Sequence, residues 1–453
     1  MPPQTQNRKD LLQAYRLMTQ RTALALIAGE PDSPNQPLRR RNMATVSGVL
    51  AGVIACAVFG VMGMLSHGGA VNGLTSPGTL VIDKDTATAY VPCTNGGQHK
   101  LCPALNYASA LLALKSANIN RVNVSQAALA DYKIGPTVGI PGLPQDLPTP
   151  ANLVKGPWSV CADGSGVTTL VGGAPVNGTP LTTSNVELVQ SQGQDWVLYQ
   201  GSRFTITDKT MRELWPQASP QQVTPAWLNT LPENPGGFAA PAVPGWGLPV
   251  TGPDGKPAQV GQVYLVASTG QGQYFVLESD QKLHSVSQVQ ANLLEHEPGA
   301  PAETSLPASQ ETTPGTPVPS GGLPTVVTTI PQVASPLCVT YGTGMSRTIS
   351  AGGTIPANAT PTGNGGPMTV DRVWLPQGRG ALIGVTASPG QPTANSWFLL
   401  DGVTRYGLAG PGVASFLGYN LASDEVMLPA SLVDVLPTGR ALDPGVADQP
   451  VSG

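Results

Sequence analysis

Residues Met43–Leu65 read MATVSGVLAGVIACAVFGVMGML and carry no charged side chain. At a rise of about 1.5 Å per residue, such a run is long enough to cross a hydrocarbon core about 30 Å thick as one helix. Arg39, Arg40 and Arg41 directly precede it, and seven of the 23 Lys and Arg residues lie before it. The positive-inside rule therefore predicts a cytoplasmic N-terminus and an extracytoplasmic location for the chain beyond the run.

A cleaved signal peptide is the alternative interpretation of this run. Signal peptides have an apolar core of about 7–15 residues and a small-residue cleavage site. The run from Met43 to Leu65 is longer, residues 1–42 precede it, and Gly68-Gly69-Ala70 matches a cleavage site only weakly. We therefore expect the segment to be retained as an anchor.

The composition of the chain is that of a turn-rich protein with short strands. Of its 453 residues, 54 are Gly and 46 are Pro, while only 11% are charged. Residues 1–42 have a net positive charge and the formal net charge of the chain is −4, so the remainder is mildly acidic. An acidic exterior argues against nucleic acid as a partner.

The five cysteines divide between the apolar run and the exterior. Cys56 lies in the run, whereas Cys93, Cys102, Cys161 and Cys338 lie on the side where disulfides persist. An even number outside agrees with two disulfides, although four cysteines allow three pairings. The first two bracket a short polar loop that a local disulfide would close, and the other two lie in the strand-like segments WSVC and PLCVTY. No CxxC is present and the histidines are scattered, so we predict no metal site.

Motifs for catalysis are absent from the sequence. It contains no GxxxxGK[ST] phosphate-binding loop, no GxSxG and no HExxH, and Gly255-Lys256 is followed by proline. The clusters Asp424-Glu425 and Glu295-His296-Glu297 are typical of solvated helix ends, with an acid/base pair as the less favoured interpretation. We therefore predict no catalytic residue, no enzyme activity and no cofactor.

Residues 8–28 place apolar side chains at close to helical spacing and basic side chains on other faces. They predict a cytoplasmic amphipathic helix that ends near Gly29 and Pro31. Two interpretations of its apolar face stay open, binding to anionic lipid and docking onto a partner protein.

Small residues recur at every fourth position of the apolar run. They are Ala44, Gly48, Gly52, Cys56 and Gly60. Such a stripe allows two helix backbones to approach closely, so it favours a helix–helix contact in the membrane over a chance pattern in a Gly/Ala-rich segment.

Four exterior segments repeat one pattern, a hairpin followed by one or two helices. Three of the hairpins begin with an aromatic residue, at Trp196, Tyr264 and Trp397, and a fourth begins at Leu80 without one. The four predicted repeats occupy residues 79–148, 195–248, 262–298 and 396–450.

Residues 150–190 and 333–392 do not fit the repeat. They contain predicted hairpins, Trp158–Cys161 with Val167–Val171 and Val373–Leu375 with Ala381–Val385. The simplest arrangement is a central β domain built from both segments, with the second and third repeats inserted between them.

Residues 299–332 are rich in Pro, Ser, Thr and Gly and predict an extended, mobile linker. With residues 1–42 as the cytoplasmic segment and 43–65 as the transmembrane helix, the predicted fold class is α+β. It consists of a single transmembrane helix followed by an elongated ectodomain of four hairpin-plus-helix repeats around a central β domain.

The order of these features resembles one family, EccB, the bitopic membrane component of the actinobacterial ESX (type VII) secretion system. The resemblance is carried by the N-terminal QAYRLMTQRTALALIAGE helix, the PLRRRNMATVSGVLAGVI approach to the span, the WSVC segment with Cys161, the repeated W/Y-x-hydrophobic hairpins and the second cysteine, Cys338. It covers essentially the whole chain, and its specificity lies in the order of the motifs.

The resemblance implies a place in the inner-membrane core complex, beside EccC-, EccD- and EccE-like subunits and further copies of the chain. It implies four repeats around a central β domain with a disulfide, which would be Cys161–Cys338, whereas the Cys93–Cys102 pair is not assigned by the family. Members have been described as ATPases. Because this chain lacks a phosphate-binding loop, that activity is not carried over, and the ATPase of the machine would be EccC.

We therefore predict a structural subunit of a type VII secretion membrane complex, which scaffolds its extracytoplasmic side and contacts membrane lipid and, transiently, secreted proteins. One alternative is a membrane-anchored cell-wall-binding or hydrolytic ectodomain, which requires two facing carboxylates about 5–10 Å apart. A second is a nucleotide hydrolase, which the family suggests without support from a motif, and a third is an anchored ectodomain that belongs to no complex.

Overall fold

The computed structural model describes residues 8–28, 37–66, 73–267, 272–307, 315–326, 335–342, 346–363, 366–386 and 394–451. The chain divides into two compact units, residues 1–72 and residues 73–453. The described residues of the first unit form two helices, Arg8–Ala28 and Pro37–Ser66. The first of these confirms the helix predicted for residues 8–28.

The helix Pro37–Ser66 contains the apolar run. Within the described part of the chain, Met43–Met62 is the one helical segment long and apolar enough to cross a membrane. Its side chains are exposed, with Val49 at 68% and Phe59 at 73%. A helix this apolar on every side is stable in contact with lipid or with other apolar helices, which agrees with the predicted anchor.

Four sheets of the second unit share one topology. In each sheet three consecutive antiparallel strands are followed by helix and then by a fourth strand that pairs in parallel with the first. The sequence predicted the hairpin and the helix of this unit but not the parallel fourth strand. The four sheets define repeats 1 to 4, and we number the strands of each repeat one to four in chain order.

Repeat 1 has strands Thr79–Asp83, Ala89–Asn95, Gln98–Pro103 and Asn120–Val124, and helices Tyr107–Leu114 and Gln126–Leu129. Repeat 2 has strands Glu187–Ser191, Gln194–Tyr199, Ser202–Thr205 and Gln221–Gln222, and helices Asp208–Leu214 and Pro225–Leu228. Repeat 3 has strands Val263–Ala267, Gly272–Leu277, Leu283–Val286 and Thr304–Pro307, and helix Gln288–Glu295; the hairpin Pro249–Thr251 and Pro257–Gln259 precedes it. Repeat 4 has strands Gly380–Val385, Ser396–Asp401, Thr404–Gly407 and Glu425–Leu428, and helices Gly412–Phe416, Leu421–Asp424, Ala430–Val433 and Pro444–Ala447.

A seven-stranded sheet lies at the centre of this unit, and a short 3-10 helix, Pro150–Asn152, precedes it. Its strands, in spatial order, are Thr360–Pro361, Arg372–Trp374, Thr168–Gly172, Trp158–Ala162, Leu337–Tyr341, Arg347–Ala351 and Thr179–Pro180. Both predicted segments contribute strands, as expected, and repeats 2 and 3 lie between them in sequence. Each edge strand has two residues and ends in proline, which leaves little edge for another chain to extend.

Repeats 2 and 4 begin one strand earlier than predicted. Glu187–Ser191 and Gly380–Val385 belong to repeat sheets rather than to the central domain. The predicted hairpin between Val373–Leu375 and Ala381–Val385 is therefore wrong, because the strand Arg372–Trp374 pairs in parallel with Thr168–Gly172 instead. The physical reason is burial on both faces, since Gly380–Val385 is buried at every position and shows no alternation that would mark it as a repeat strand.

Part of the predicted linker is docked rather than mobile. Thr304–Pro307 is the fourth strand of repeat 3. The amide of Gly315 donates to Leu283 O at 2.8 Å, and the amide of Val318 donates to Ser285 O at 3.0 Å. We call residues 315–326 the strap, because they run along the outer edge of strand three of repeat 3.

The outer edge of strand three is covered in all four repeats. In repeats 1, 2 and 4 the segment after the short helix that follows strand four forms a parallel bridge to strand three, at Leu101 with Ile134, Arg203 with Glu233 and Arg405 with Thr438. In repeat 3 the strap covers the edge. The predicted end of repeat 3 at residue 298 therefore omits both its fourth strand and its edge cover.

Repeats 2 and 4 each take part in two hydrophobic cores. In repeat 2, Leu188 lies in a core shared with repeat 3, while Val189 lies in the core under the central sheet. In repeat 4, Leu382 lies in a core shared with repeat 1, while Ile383 faces the central sheet. We call repeats 2 and 4 the inner repeats and repeats 1 and 3 the outer repeats.

Candidate functional site

The junction between the central sheet and the inner repeats is formed by the short helix that follows strand four of each, Pro225–Leu228 in repeat 2 and Ala430–Val433 in repeat 4. In repeat 2, Thr224 caps the helix Pro225–Leu228, with Pro225 at its first position, where a missing N–H costs nothing. Trp227 of this helix is fully buried, and its Nε1 donates to Val160 O of the central sheet at 3.1 Å. The helix therefore joins repeat 2 to the sheet by both packing and a directed hydrogen bond.

The same junction brings repeat 4 to repeat 2. The Tyr341 hydroxyl of the central sheet donates to Thr230 O at 3.0 Å, and the Ser431 hydroxyl of repeat 4 donates to the same carbonyl at 3.3 Å. Leu432, from the equivalent helix of repeat 4, is buried in the same core as Trp227. One carbonyl thus receives donors from the sheet and from the other inner repeat.

The structure places Cys161 and Cys338 directly opposite each other on neighbouring antiparallel strands and joins them by a disulfide. Their Cα atoms are 4.0 Å apart, and both residues are fully buried. The bond closes a sequence separation of 177 residues, which contains all of repeats 2 and 3. It therefore links neighbouring strands from the two sequence segments that build the central sheet, between which repeats 2 and 3 are inserted.

Cys93 and Cys102 form the second disulfide, between strands two and three of repeat 1. Gly135, in the segment that covers this edge, lies against it, since an added Cβ would be 2.5 Å from the Cys102 sulfur. Only glycine fits this position without displacing the segment. The bond therefore ties the hairpin of repeat 1 under its own edge cover.

The inner repeats hold their edge covers by an arginine that is not among the predicted site residues. The guanidinium of Arg203 lies 4.9 Å from the ring of Trp196, and that of Arg405 lies 5.1 Å from the ring of Phe398. Arg203 donates to Asn229 and contacts Glu233 at 3.2 Å; Arg405 contacts Asp434 at 2.8 Å. The same seven-residue spacing between aromatic residue and arginine in both repeats is a signal that would have revealed the pair.

The predicted membrane-packing stripe lies on an open surface of the helix Pro37–Ser66. An added Cβ at Gly48, Gly52 or Gly60 would meet no atom within 4 Å, and Cys56 is exposed with a free thiol. Arg39, Arg40 and Arg41 lie near the start of the same helix. Close packing of a neighbouring helix along this stripe stays a prediction.

Three residues of the polar clusters considered for catalysis, Asp424, Glu425 and His296, have structural partners. Trp397 Nε1 donates to Glu425 at 2.9 Å, and Asp424 accepts from the amide of Asn420 at 2.8 Å. His296 Nδ1 lies 2.6 Å from the carbonyl of Asn292 in its own helix. Burial, together with the nearby carboxylate of Glu303, raises the pKa of Glu295. Among the described residues no set of three His, Cys, Asp or Glu side chains is arranged to hold a metal ion.

Two further features involve repeat 2. A groove of about 560 Å³ between repeats 2 and 3 is lined by residues that include Asp195, Thr207, Phe238 and His296. Glu187 is 5% exposed, its Oε2 has no hydrogen-bond partner, and burial raises its pKa to about 8. Neither feature brings a nucleophile, a base and an electrostatic stabiliser together, as a catalytic site requires.

Comparisons with known proteins identify the family. The family model described as "Type VII secretion system ESX-1, transport TM domain B", EccB, matches residues 4–450. A protein named "ESX-5 secretion system ATPase EccB5" from Mycobacterium tuberculosis is 27% identical over 94% of this chain and 90% of its own length. The relative of the same name from Mycobacterium marinum is 31% identical over 59% of this chain, a match that spans 54% of that protein.

Two solved structures share the fold. A chain of an intact ESX-5 inner membrane complex matches with a TM-score of 0.63 and 22% identity, over 100% of this chain and 97% of that chain. An EccB3 dimer from the ESX-3 core complex matches with a TM-score of 0.64 and 25% identity, over 82% of this chain and 100% of that chain. Since the family model covers nearly its whole length, the chain belongs to the EccB family of type VII secretion systems.

Proposed function

We propose that this chain is a structural subunit of a type VII secretion inner-membrane complex and scaffolds the extracytoplasmic side of the machine. The observation that carries the proposal is the family match over residues 4–450. The candidate span Met43–Met62, placed before a repeat-built ectodomain, supports a single-pass anchor. Arg39–Arg41 support a cytoplasmic N-terminus, and the two disulfides support an oxidising exterior for residues 73–453.

The partners in this proposal are EccC-, EccD- and EccE-like membrane subunits and further copies of the chain. One of the similar structures is of an ESX-5 inner membrane complex and another is of an EccB3 dimer, which supports assembly with other subunits and with itself. The stripe from Ala44 to Gly60 offers a neighbouring helix a surface without bulky side chains. On the helix Arg8–Ala28, exposed apolar side chains such as Tyr15 and Met18 offer a second contact.

Hydrolysis of nucleotides is not part of the proposal, although the relatives carry "ATPase" in their names. Gly255-Lys256 lies in the tight turn between the strands Pro249–Thr251 and Pro257–Gln259, where Lys256 Nζ is 3.1 Å from Asp254. A phosphate-binding loop needs a strand, a glycine-rich turn and a helix N-terminus in sequence. ATP hydrolysis by the purified full chain that is lost in its Lys256→Gln variant would contradict this part.

The experiment that tests the proposal is purification of the tagged full chain from its membrane in mild detergent. We expect a complex far larger than the 46.5 kDa chain, with EccC-, EccD- and EccE-like subunits identified by mass spectrometry. Recovery of the chain alone at its monomer mass would contradict the scaffold function.

A matched pair of variants sharpens this experiment. Gly48→Leu with Gly52→Leu fills the stripe without disturbing the helix itself, because those positions are open. We expect this variant to lose membrane partners, whereas Val49→Leu with Val53→Leu, on another face of the same helix, keeps them. Equal recovery of partners by both variants would remove the stripe from the proposal.

A further inference from the structure

The strap is held by one titratable side chain. His284, in strand three of repeat 3, has Nδ1 2.8 Å from Thr316 O of the strap and Nε2 3.1 Å from Asp280 Oδ1 of the preceding turn. The side chain is 11% exposed. Gly315 lies against the imidazole face, since an added Cβ there would be 2.5 Å from the ring atoms.

These two contacts specify a protonated ring. A carbonyl oxygen only accepts, so Nδ1 carries a hydrogen when it bonds Thr316 O. An ionised carboxylate also only accepts, so Nε2 carries a hydrogen when it bonds Asp280, and only the imidazolium donates in both directions. In a neutral ring only one nitrogen carries a hydrogen. The stronger bond is the charge-assisted one from Nε2 to Asp280, so Nδ1 then points a lone pair, not a hydrogen, at the Thr316 carbonyl.

The charges around the ring favour protonation. Besides Asp280, the carboxylate of Glu278 faces the ring, with Oε1 3.9 Å from Nδ1. A nearby cation is Lys282 of the same turn, whose Nζ lies 3.9 Å from Asp280. The strap, residues 315–326, has no charged residue. Partial burial lowers the pKa of His284, but the bond to Thr316 O and the carboxylates of Asp280 and Glu278 outweigh it, so the pKa lies above its usual value.

The strap connects two repeats. Gln290 of repeat 3 donates to Pro319 O at 2.7 Å, and Asn234 of repeat 2 donates to Gly321 O at 3.0 Å. Leu323 is buried in the core that repeats 2 and 3 share. How firmly the strap is held therefore affects how firmly repeat 3 is joined to repeat 2.

We propose that His284 is a protonation-dependent latch that ties the strap across repeats 3 and 2 at mildly acidic pH and releases it as the pH rises. The direction of this pH dependence follows from the linkage between proton binding and stability. A histidine that binds its proton more tightly in the closed state stabilises that state below about pH 6.5 and loses this effect as the pH passes the raised value. The latch concerns motion within the ectodomain and is independent of the proposed place in a secretion complex.

Hydrogen exchange of the full chain in detergent, read by mass spectrometry on the peptide that contains the Gly315 and Val318 amides, tests the latch. His284→Phe keeps a ring for Gly315 to contact and removes both donors. At pH 5.5 we expect the strap to exchange about tenfold faster in this variant than in the wild-type chain, and at pH 8.5 to differ by less than about twofold. Comparison at equal pH cancels the pH dependence of intrinsic exchange, so an equal ratio at both pH values would overturn the proposal.

Two further variants complete the test. His296→Phe is the matched control, because His296 bonds the carbonyl of Asn292 in its own helix, and we expect no change in strap exchange at either pH. Gly315→Ala pushes the strap away from the ring and should speed exchange at both pH values. No effect of Gly315→Ala, or an effect of His296→Phe equal to that of His284→Phe, would also overturn the proposal.

Discussion

The inner and outer repeats share one topology but are stabilised differently. In the inner repeats, adjacent residues such as Leu188 and Val189 enter two different cores, one shared with an outer repeat and the other with the central sheet. The outer repeats each share a core with one neighbouring repeat and carry one additional link, the Cys93–Cys102 disulfide within repeat 1 and the strap that joins repeat 3 to repeat 2. The same unit is thus stabilised by burial against two neighbours in the inner repeats, and by burial against one neighbour plus an additional link in the outer repeats.

Removal of the two disulfides gives the largest contrast between the centre and an outer repeat. Cys161→Ala with Cys338→Ala opens a 177-residue separation, and Cys93→Ala with Cys102→Ala opens one of 9 residues. The chain-entropy model gives losses of about 5 and about 3 kcal/mol, respectively. Thermal unfolding of the two double variants, without reductant, measures the difference, and a larger loss for the outer pair would contradict the comparison.

The second largest effect is expected from truncation of Trp227 at the junction between repeat 2 and the central sheet. Trp227→Ala empties a fully buried site between repeat 2 and the central sheet, and we expect a loss of about 4 kcal/mol in the free energy of unfolding. Trp227→Phe is the control, since it keeps most of the volume and removes the bond to Val160 O, at a cost of about 1–2 kcal/mol. Equal losses for the two variants in denaturant unfolding would show that packing does not hold this junction.

The smallest effect on the free energy of unfolding is expected from Glu187, whose carboxyl group is buried in repeat 2. Because the folded chain holds the Glu187 proton up to about pH 8, while the unfolded chain loses it near 4.5, stability contributed by this group falls as the pH rises between those values. Glu187→Gln removes this dependence and should stabilise the chain by about 3 kcal/mol more at pH 8 than at pH 5, because each pH unit in this range contributes about 1.4 kcal/mol.

Denaturant unfolding at the two pH values measures this change. Glu213→Gln is the control, because that residue pairs with Lys209 at the surface. A stabilisation by Glu187→Gln that does not depend on pH would mean that Glu187 is ionised in the folded chain.

Much of this arrangement is predictable from the sequence, and the exceptions have physical causes. The apolar run, the helix at residues 8–28 and the use of both central segments follow from composition and periodicity. Strand one of repeat 4 is assigned to the central domain by its sequence, because a strand buried on both faces lacks the alternation that marks a half-buried one.

The strap resembles part of a mobile linker for a different reason. Its Pro/Gly-rich composition is the same whether such a segment is free or docked, and its docking depends on the backbone groups of a strand edge. The arginines of the inner repeats do not stand out in the sequence, although their spacing from an aromatic residue is equal in both repeats. Such a spacing is visible only when repeats are aligned to one another.

Native-state hydrogen exchange across the ectodomain of the full chain in detergent tests the central claim most directly. If burial against two neighbours stabilises the centre more than burial against one neighbour plus one link stabilises the outer repeats, the slowest amides will lie in the central strands Trp158–Ala162 and Leu337–Tyr341 and in strands one and two of the inner repeats. The sheets of repeats 1 and 3 will exchange earlier. Protection in either outer repeat that outlasts the central sheet would contradict the account.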